Sequence, residues 1–300
     1  MTTGALQERP ASNRVARRIK NWAMIGLSSI AATIAVGALV FVLAYLLKQG
    51  FHSLNLHMLT NTPNPNDPSK DGFANSLTGT IFLIFIASLF GLPIGILGGI
   101  YQVESQGPFA TTIRFLTDVL NSIPSIVIGI FIYILVVLPV SAYSQAHNLS
   151  NIQGNSAFAG GVALGILMIP TVMRTTEEIL RLVPSSLREG SLALGATRWR
   201  TMFSIVLPAA RNGVITGIML ASARIAGETA PLLFTAFGNP DISFKLFQPV
   251  DSLPWSIYKN STEPGGEAKA HVAALILILL ILVMSLITRF ATRNSLTEEK

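Results

Sequence analysis

The 300-residue chain has no cysteine, which excludes a disulfide framework and a thiolate metal site. Charge is scarce: Asp, Glu, Lys and Arg make up 12% of residues against 50% hydrophobic. With a mean hydropathy of +0.56, the chain lies outside the range of a soluble domain. No G-x-x-x-x-G-K-[ST] loop and no Gly-Lys dipeptide occurs anywhere, so there is no P-loop for ATP and no ATPase site is expected in this chain. His52, His57, His147 and His271 show no ligand spacing, so neither a metal nor any other cofactor is expected to be bound by it. No inverted internal repeat of the kind common in secondary transporters is visible.

What is present is apolar sequence in runs. A hydrocarbon core of about 30 Å needs about 20 helical residues, and runs of that order lie near Trp22–Leu47, Ser76–Ile100, Leu116–Pro139, Ala157–Met173, Asn212–Phe237 and His271–Phe290. The expected fold is therefore an all-α polytopic membrane protein with six transmembrane helices. The first run is too long for a cleaved signal peptide, whose apolar region spans roughly 7 to 15 residues.

The sequence pI of about 9.8 does not point to nucleic acid, because the basic residues alternate with acidic or neutral segments across the spans. Arg9, Arg14, Arg17, Arg18 and Lys20 precede the first span; Arg174, Arg181, Arg188, Arg198, Arg200 and Arg211 follow the fourth. Arg289, Arg293 and Lys300 close the chain. The opposite side holds Lys48, Lys70, Lys245, Lys259 and Lys269 against Asp67, Asp71, Asp241, Asp251, Glu263 and Glu267. Both termini are expected in the cytoplasm of a cell whose inner membrane the chain crosses. The expected division is a basic tail over 1–20, a transmembrane domain over 21–291 with a cytoplasmic loop over 174–208, and a second tail over 292–300. Outside, Thr60–Gly72 reads as a Pro- and Asn-rich loop, and Gly238–Ala270 mixes turn signals with Phe244, Phe247 and Trp255.

The loop "RTTEEILRLVPSSLREGSLALGATRWRTMFSIVLPAARNG", about 40 residues, exceeds what a connection needs. Pro184 upstream and Gly195 within it predict two short amphipathic helices joined at a glycine. Thr175, Thr176, Glu177 and Glu178 read as helix-start residues. Two uses are open from the pattern alone: a surface bound by a partner, or helices lying on the lipid headgroups.

Within the fifth run, "SARIAGETAPLLF" puts Arg224 and Glu228 where water is scarce. Counted from Arg211, Arg224 lies about 20 Å into the core, where each charge costs roughly 2.5 to 3.5 kcal/mol. A helical spacing of four would place the two on one face and let them neutralise each other. Such a pair either lines a path or gate or fixes register against a partner helix. Pro231, unable to donate to the carbonyl of Gly227, adds a local reason to bend, and Gly227 with Pro231 forms a candidate hinge. Arg174 is either a second basic group at the inner mouth or an ordinary positive-inside anchor. Pro93, Pro124 and Pro170 are candidate kinks.

The spacing Glu189, Gly195, Ile205, Leu207, Pro208 resembles the cytoplasmic loop of ABC importer permeases, with Gly190 and Ser191 in the two alanine positions. Within that superfamily, "NSIPSIVIGIF", "PTVMRTTEEIL", "LGATRWRT" and "RIAGETAPLLFTAFGN" resemble the PstA-type permeases of bacterial phosphate importers. The resemblance implies a type I importer permease fold and one half of a transmembrane heterodimer with a PstC-type permease. It further implies two copies of a cytoplasmic ATPase, which would use the ATP and Mg, and an external phosphate-binding protein; phosphate is the implied substrate. It implies that Arg224, Glu228, Thr229 and Arg174 serve the path or gate. Glu189, Gly195, Leu207 and Pro208 would couple to the ATPase. The chain would be a transport subunit and no enzyme. A permease for sulfate or molybdate, which shares the loop motif, is the alternative; an ion channel or an intramembrane enzyme is the alternative of another class.

A chain without cysteine makes the sidedness testable. Cysteine in place of Ser261 is expected to react with an impermeant thiol reagent in intact cells, and cysteine in place of Ser186 only after permeabilisation. Labelling of Ser186→Cys from outside would invert the topology.

Overall fold

The computed structural model describes residues 12–64, 71–105 and 107–293. The tail residues 1–11 and 294–300, with Arg9 and Lys300, lie outside them, as do Asp67, Ser69 and Lys70. Helices α1 (Ser12–Ser53), α2 (His57–Thr60), α3 (Ala74–Glu104) and α4 (Pro108–Ser122) are followed by α5 (Ser125–Ile132), a π-turn (Tyr133–Val137) and α6 (Leu138–Ala146). Next come α7 (Ala157–Arg181), α8 (Ser185–Ala193), α9 (Arg198–Thr201), a second π-turn (Met202–Val206) and α10 (Leu207–Ala226). The short α11 (Leu232–Thr235) leads to α12 (Leu253–Thr262) and α13 (Glu267–Arg293). Six helical stretches among the described residues are long and apolar enough to cross a membrane: Ala16–Phe51, Ala74–Glu104, Ser125–Ala146, Ala157–Arg181, Arg198–Ala226 and Glu267–Phe290. The chain divides into two units, 1–49, which is the greater part of α1, and 50–300.

The number of spans is as expected, and several edges differ for physical reasons. The fourth helix does not end near Met173; it runs to Arg181, because ion pairs Arg174–Glu178 and Arg181–Glu177 at i,i+4 carry the helix beyond its apolar part. Thr175, Thr176, Glu177 and Glu178 are thus interior to α7 and do not begin a helix. The third run is broken, since Pro124 holds Ile123 extended (φ −73°, ψ 130°) and separates α4 from α5. The fifth span begins at Arg198, where the Thr197 hydroxyl accepts from the Arg200 amide, and ends at Ala226, far short of Phe237. Only one short helix, α8, is free-standing in the loop; its expected partner is the first turn of this span. Backbone helix also begins at Ser12, inside the expected N-terminal tail.

Both π-turns come just before a proline. Pro139 and Pro208 sit in the first turn of α6 and α10, where a proline ring would press on the carbonyl four residues back. Widening the preceding turn, with the Leu138 amide on Tyr133 O and the Leu207 amide on Met202 O, keeps each span continuous. Leu207 accordingly packs with Met202, Val206 and Ala210 in the core. Neither Leu207 nor Pro208 lies on α8.

The core of the second unit is the parallel pair α3 and α7, which approach so closely that glycine is required. A Cβ on Gly95 would lie 2.7 Å from Val172 Cβ, and one on Gly99 2.7 Å from the Met173 carbonyl oxygen. Hydrocarbon gives no solvent-driven reason for apolar helices to associate, so close backbone packing provides it. Leu83, Ala87, Leu164, Met168 and Val172 fill the seam.

At the α12 end of this pair, the segment expected as an external loop is ordered around a buried carboxylate. Asp251 Oδ2 accepts from Asn75 Nδ2 (2.8 Å), Ser76 Oγ (2.8 Å) and Ser256 Oγ (3.1 Å), and Oδ1 from the Ser252 amide (2.8 Å). Burial raises the Asp251 carboxyl above its ordinary value, opposed by the hydrogen bonds from Ser76, Ser252 and Ser256 and the charge of Lys259. A carboxyl raised by folding holds its proton more tightly in the native state. Its contribution to stability therefore grows as pH falls through the raised value towards the ordinary one, 3.8. Asp251→Ala removes the shared acceptor of four buried donors, at about 1–3 kcal/mol for each one left unpaired. It is expected to lower the melting temperature of the detergent-solubilised protein, and the gap from the parent is expected to widen on acidification across that window.

Candidate functional site

Arg224 stands in the last turn of α10, where a cation complements the negative end of the helix dipole. The helix closes by tightening: the amides of Gly227 and Glu228 reach the carbonyls of Arg224 and Ile225, both at 3.2 Å. From Glu228 to Ala230 the chain is not helical, so the spacing of four does not place Arg224 and Glu228 on one face. The expected ion pair is absent among the described residues, and the half-buried Glu228 carboxylate has no hydrogen-bond partner among them. Instead Arg224 Nη1 donates to Thr171 Oγ1 on α7 at 3.2 Å, and the guanidinium is exposed.

Thr171 lies ten residues before the end of α7 at Arg181, a rise of about 15 Å. Arg224 therefore stands level with the middle stretch of α7. The neighbouring hinge is of another kind than the sequence predicts. Gly227 has φ −94°, and a Cβ there would meet the Arg224 carbonyl oxygen at an ordinary 3.7 Å, so any residue could adopt its conformation. Pro231 bends no continuous helix; it begins α11, and its carbonyl accepts from the Thr235 hydroxyl at 2.8 Å. Gly129 on α5 lets the two backbones touch, since a Cβ there would lie 2.6 Å from Pro231 Cα. Thr229 caps this turn through its carbonyl, which accepts from the amides of Leu232 and Leu233.

On α7 the spacing 171, 174, 175, 178 gathers Thr171, Arg174, Thr175 and Glu178 on one face, while Val172, Met173, Thr176 and Glu177 turn into the core. Arg174 belongs to this stripe and not to a flanking loop. Its Nη1 meets Asp118 Oδ1 on α4 at 2.7 Å and its Nε meets Glu178 Oε1 at 3.0 Å. Thus Arg224 and Arg174, which the sequence assigns to separate places, stand one helical turn apart along a single polar stripe. Behind it Glu177, with 8% of its side chain exposed, accepts from Arg114 at 2.9 Å and Arg181 at 2.8 Å. Arg114 and Asp118 escape a hydropathy reading because α4 falls across the edge of an apolar run; the signal available was its apolar residues recurring at helical spacing.

The α8 region shows why Gly195 is glycine. Its φ is +82°, and its amide and that of Ala196 return to the carbonyls of Leu192 (3.0 Å) and Ser191 (3.2 Å). This is a Schellman closure, which needs a left-handed residue. Around it Leu194 (90% exposed) and the stacked Trp199 and Phe203 present apolar surface, and Glu189 is exposed. A cleft of about 310 Å³ is lined by Ser191, Leu194, Gly195, Arg200, Ser204 and Ile205. Of the two alanine-position departures, Ser191 donates to or accepts from the Thr201 hydroxyl at 2.9 Å, whereas Gly190 has open space that alanine would fit. Among the described residues no group of three His, Asp or Glu could hold a metal.

Residues 91–295 match the family described as binding-protein-dependent transport system inner membrane component. The chain is 40% identical over 278 residues to the phosphate transport system permease protein PstA of Haemophilus influenzae, covering 91% of this chain and 94% of that one. It is 37% identical over 280 residues to the protein of that name from Mycobacterium leprae, covering 91% and 88%. In fold it is similar to a bacterial alginate ABC transporter bound to its periplasmic protein (TM-score 0.60, 14% identity, 95% of this chain and 98% of that). It is also similar to the inward-facing MetNI methionine transporter (TM-score 0.55, 18% identity, 74% and 94%). Six membrane-length helices, a glycine-closed loop helix and this degree of identity over almost its whole length make the chain a member of the binding-protein-dependent inner membrane transport family, within its PstA phosphate permeases.

Proposed function

We propose that the chain is one half of the membrane pathway of an ATP-driven phosphate importer, paired with a PstC-type permease. On this reading it is served by two copies of a cytoplasmic ATPase that binds ATP and Mg and by an external phosphate-binding protein. The observation that carries the pathway reading is Arg224 on Thr171 at the head of the α7 stripe, beside a helix that stops level with the middle stretch of α7. An arginine fork is suited to phosphate oxygens, and non-helical backbone at that depth is tolerated where it lines a polar cavity or is covered by protein. Phosphate exchanges with Thr171 for the Arg224 donors and passes towards Arg174, whose partners Asp118 and Glu178 keep it from holding the anion tightly. A path that must release its cargo cannot bind it strongly. Access alternates as ATPase closure displaces α8 and the spans attached to it, with both termini on the ATPase side.

Two variants test the halves of this proposal. Gly195→Leu forces a side chain into left-handed backbone at about 1–2 kcal/mol, but the space there is open, so the chain still assembles with its partner permease. Recovery of the ATPase with it in detergent is expected to be lost; full recovery with normal hydrolysis means that docking lies elsewhere. Arg224→Gln removes a charged donor worth about 1.5–3 kcal/mol, so phosphate uptake is expected to fall at least about tenfold while ATPase recovery is kept. Because Glu228 is not its partner, adding Glu228→Gln restores nothing. Normal uptake by Arg224→Gln excludes the pathway role.

A further inference from the structure

Arg188 and Glu189 are neighbours on α8 with opposite surroundings. Glu189 is exposed and has no hydrogen bond or ion pair among the described residues. Arg188 is committed within the chain: Nη1 meets Glu104 Oε1 at 2.8 Å, and Nη2 donates to the Leu180 carbonyl at 2.9 Å. Glu104 is the last residue of α3 and Leu180 lies in the last turn of α7. One guanidinium therefore joins α8 to the ends of both helices of the central pair, and the side chains of Arg188 and Glu104 are only 22% and 29% exposed. No other hydrogen bond or ion pair among the described residues joins α8 to α3 or α7. The remaining polar tie of α8 runs elsewhere, from Ser191 to Thr201 at the start of the fifth span.

The chemistry suits transmission. A cation at the carbonyl ends of two helices is favoured by both dipoles, and the rigid fork of arginine holds two acceptors at once, which an ammonium on a flexible stem does not. Since α3 and α7 are packed backbone to backbone, a pull at their shared end moves them together. We infer that Arg188 is the positioning residue that couples α8 to the α3–α7 pair, so that displacement of α8 becomes displacement of the helix that carries Thr171 and Arg174. The inference rests on the reading that α8 is where the ATPase docks.

The test uses the complete importer with its binding protein, reconstituted in vesicles, and reads phosphate taken up per ATP hydrolysed. Arg188→Gln is expected to keep the ATPase and its hydrolysis, while uptake per ATP falls at least about tenfold, the factor carried by a lost bond to a charged group. Arg188→Lys, able to keep one arm, is expected to lie between, and Glu104→Gln to fall less than Arg188→Gln because the Leu180 arm remains. An unchanged ratio in Arg188→Gln overturns the inference. So does loss of the ATPase from that variant, which would make Arg188 part of the docking surface itself. If Arg188→Gln fails to assemble, Glu104→Gln decides, as it leaves α8 untouched: an unchanged ratio there overturns the inference too. Failure of the docking reading is seen separately, as ATPase retained by Gly195→Leu.

Discussion

A peptide group without a hydrogen-bond partner costs several kcal/mol in hydrocarbon, and much of this structure follows from how the chain meets that demand where α10 stops. Beyond Ala226 the backbone serves itself only in single turns. The neighbouring elements supply the partners: the Ser156 amide donates to Thr235 O, Asn155 Nδ2 to Phe234 O, and Pro231 lies against Gly129 of α5. Further along, the amides of Gln153, Ala157 and Phe158 reach the carbonyls of Phe247, Gln248 and Leu246. The start of α7 thus doubles as the hydrogen-bonding partner of the chain that leaves the broken helix. That arrangement keeps the end of α10, with Arg224, against the middle of α7.

The α3–α7 pair is held at its two ends by different chemistry. Around Asp251 the donors are neutral hydroxyls, an amide side chain and a backbone amide, gathered on one buried carboxylate. At the α8 end the contacts are guanidinium to carboxylate or carbonyl: Arg114 and Arg181 on Glu177, and Arg188 on Glu104 and Leu180. Both networks cost desolvation and are retained only because their members are satisfied. Together they fix the pair by neutral hydrogen bonds at the α12 end and by charge at the α8 end, the form a domain needs if small movements at one end are to appear at the other.

Several features were legible in the sequence because they are local. Six spans follow from apolar length alone, and the glycine joint at Gly195 follows from an unshared conformational need: its left-handed φ is required by the helix closure next to it. The importer loop motif was readable at Glu189, Gly195 and Pro208, and the structure adds why each is there: an exposed carboxylate, a Schellman glycine and a proline accommodated by a π-turn. The depth counted for Arg224 from Arg211 rested on the wrong start, since the span begins at Arg198 and not near Asn212.

The partners of the charges were not legible. Helical periodicity pairs Arg224 with Glu228, but periodicity holds only while the helix continues, and the tightened turn at Gly227 ends it. Thr171 and Asp118 for Arg224 and Arg174, Glu177 for Arg114, and Glu104 for Arg188 lie far from their arginine in sequence and on a different element, so no spacing rule reaches them. The sequence by itself therefore determined a six-span membrane chain with a glycine-closed loop helix, because hydropathy, turn preference and capping act within a few residues. Only the tertiary structure decided which charges meet, because the close approach of α3, α7 and α10 is set by packing across the bundle, and a guanidinium takes whichever acceptor that packing brings within 3 Å or so.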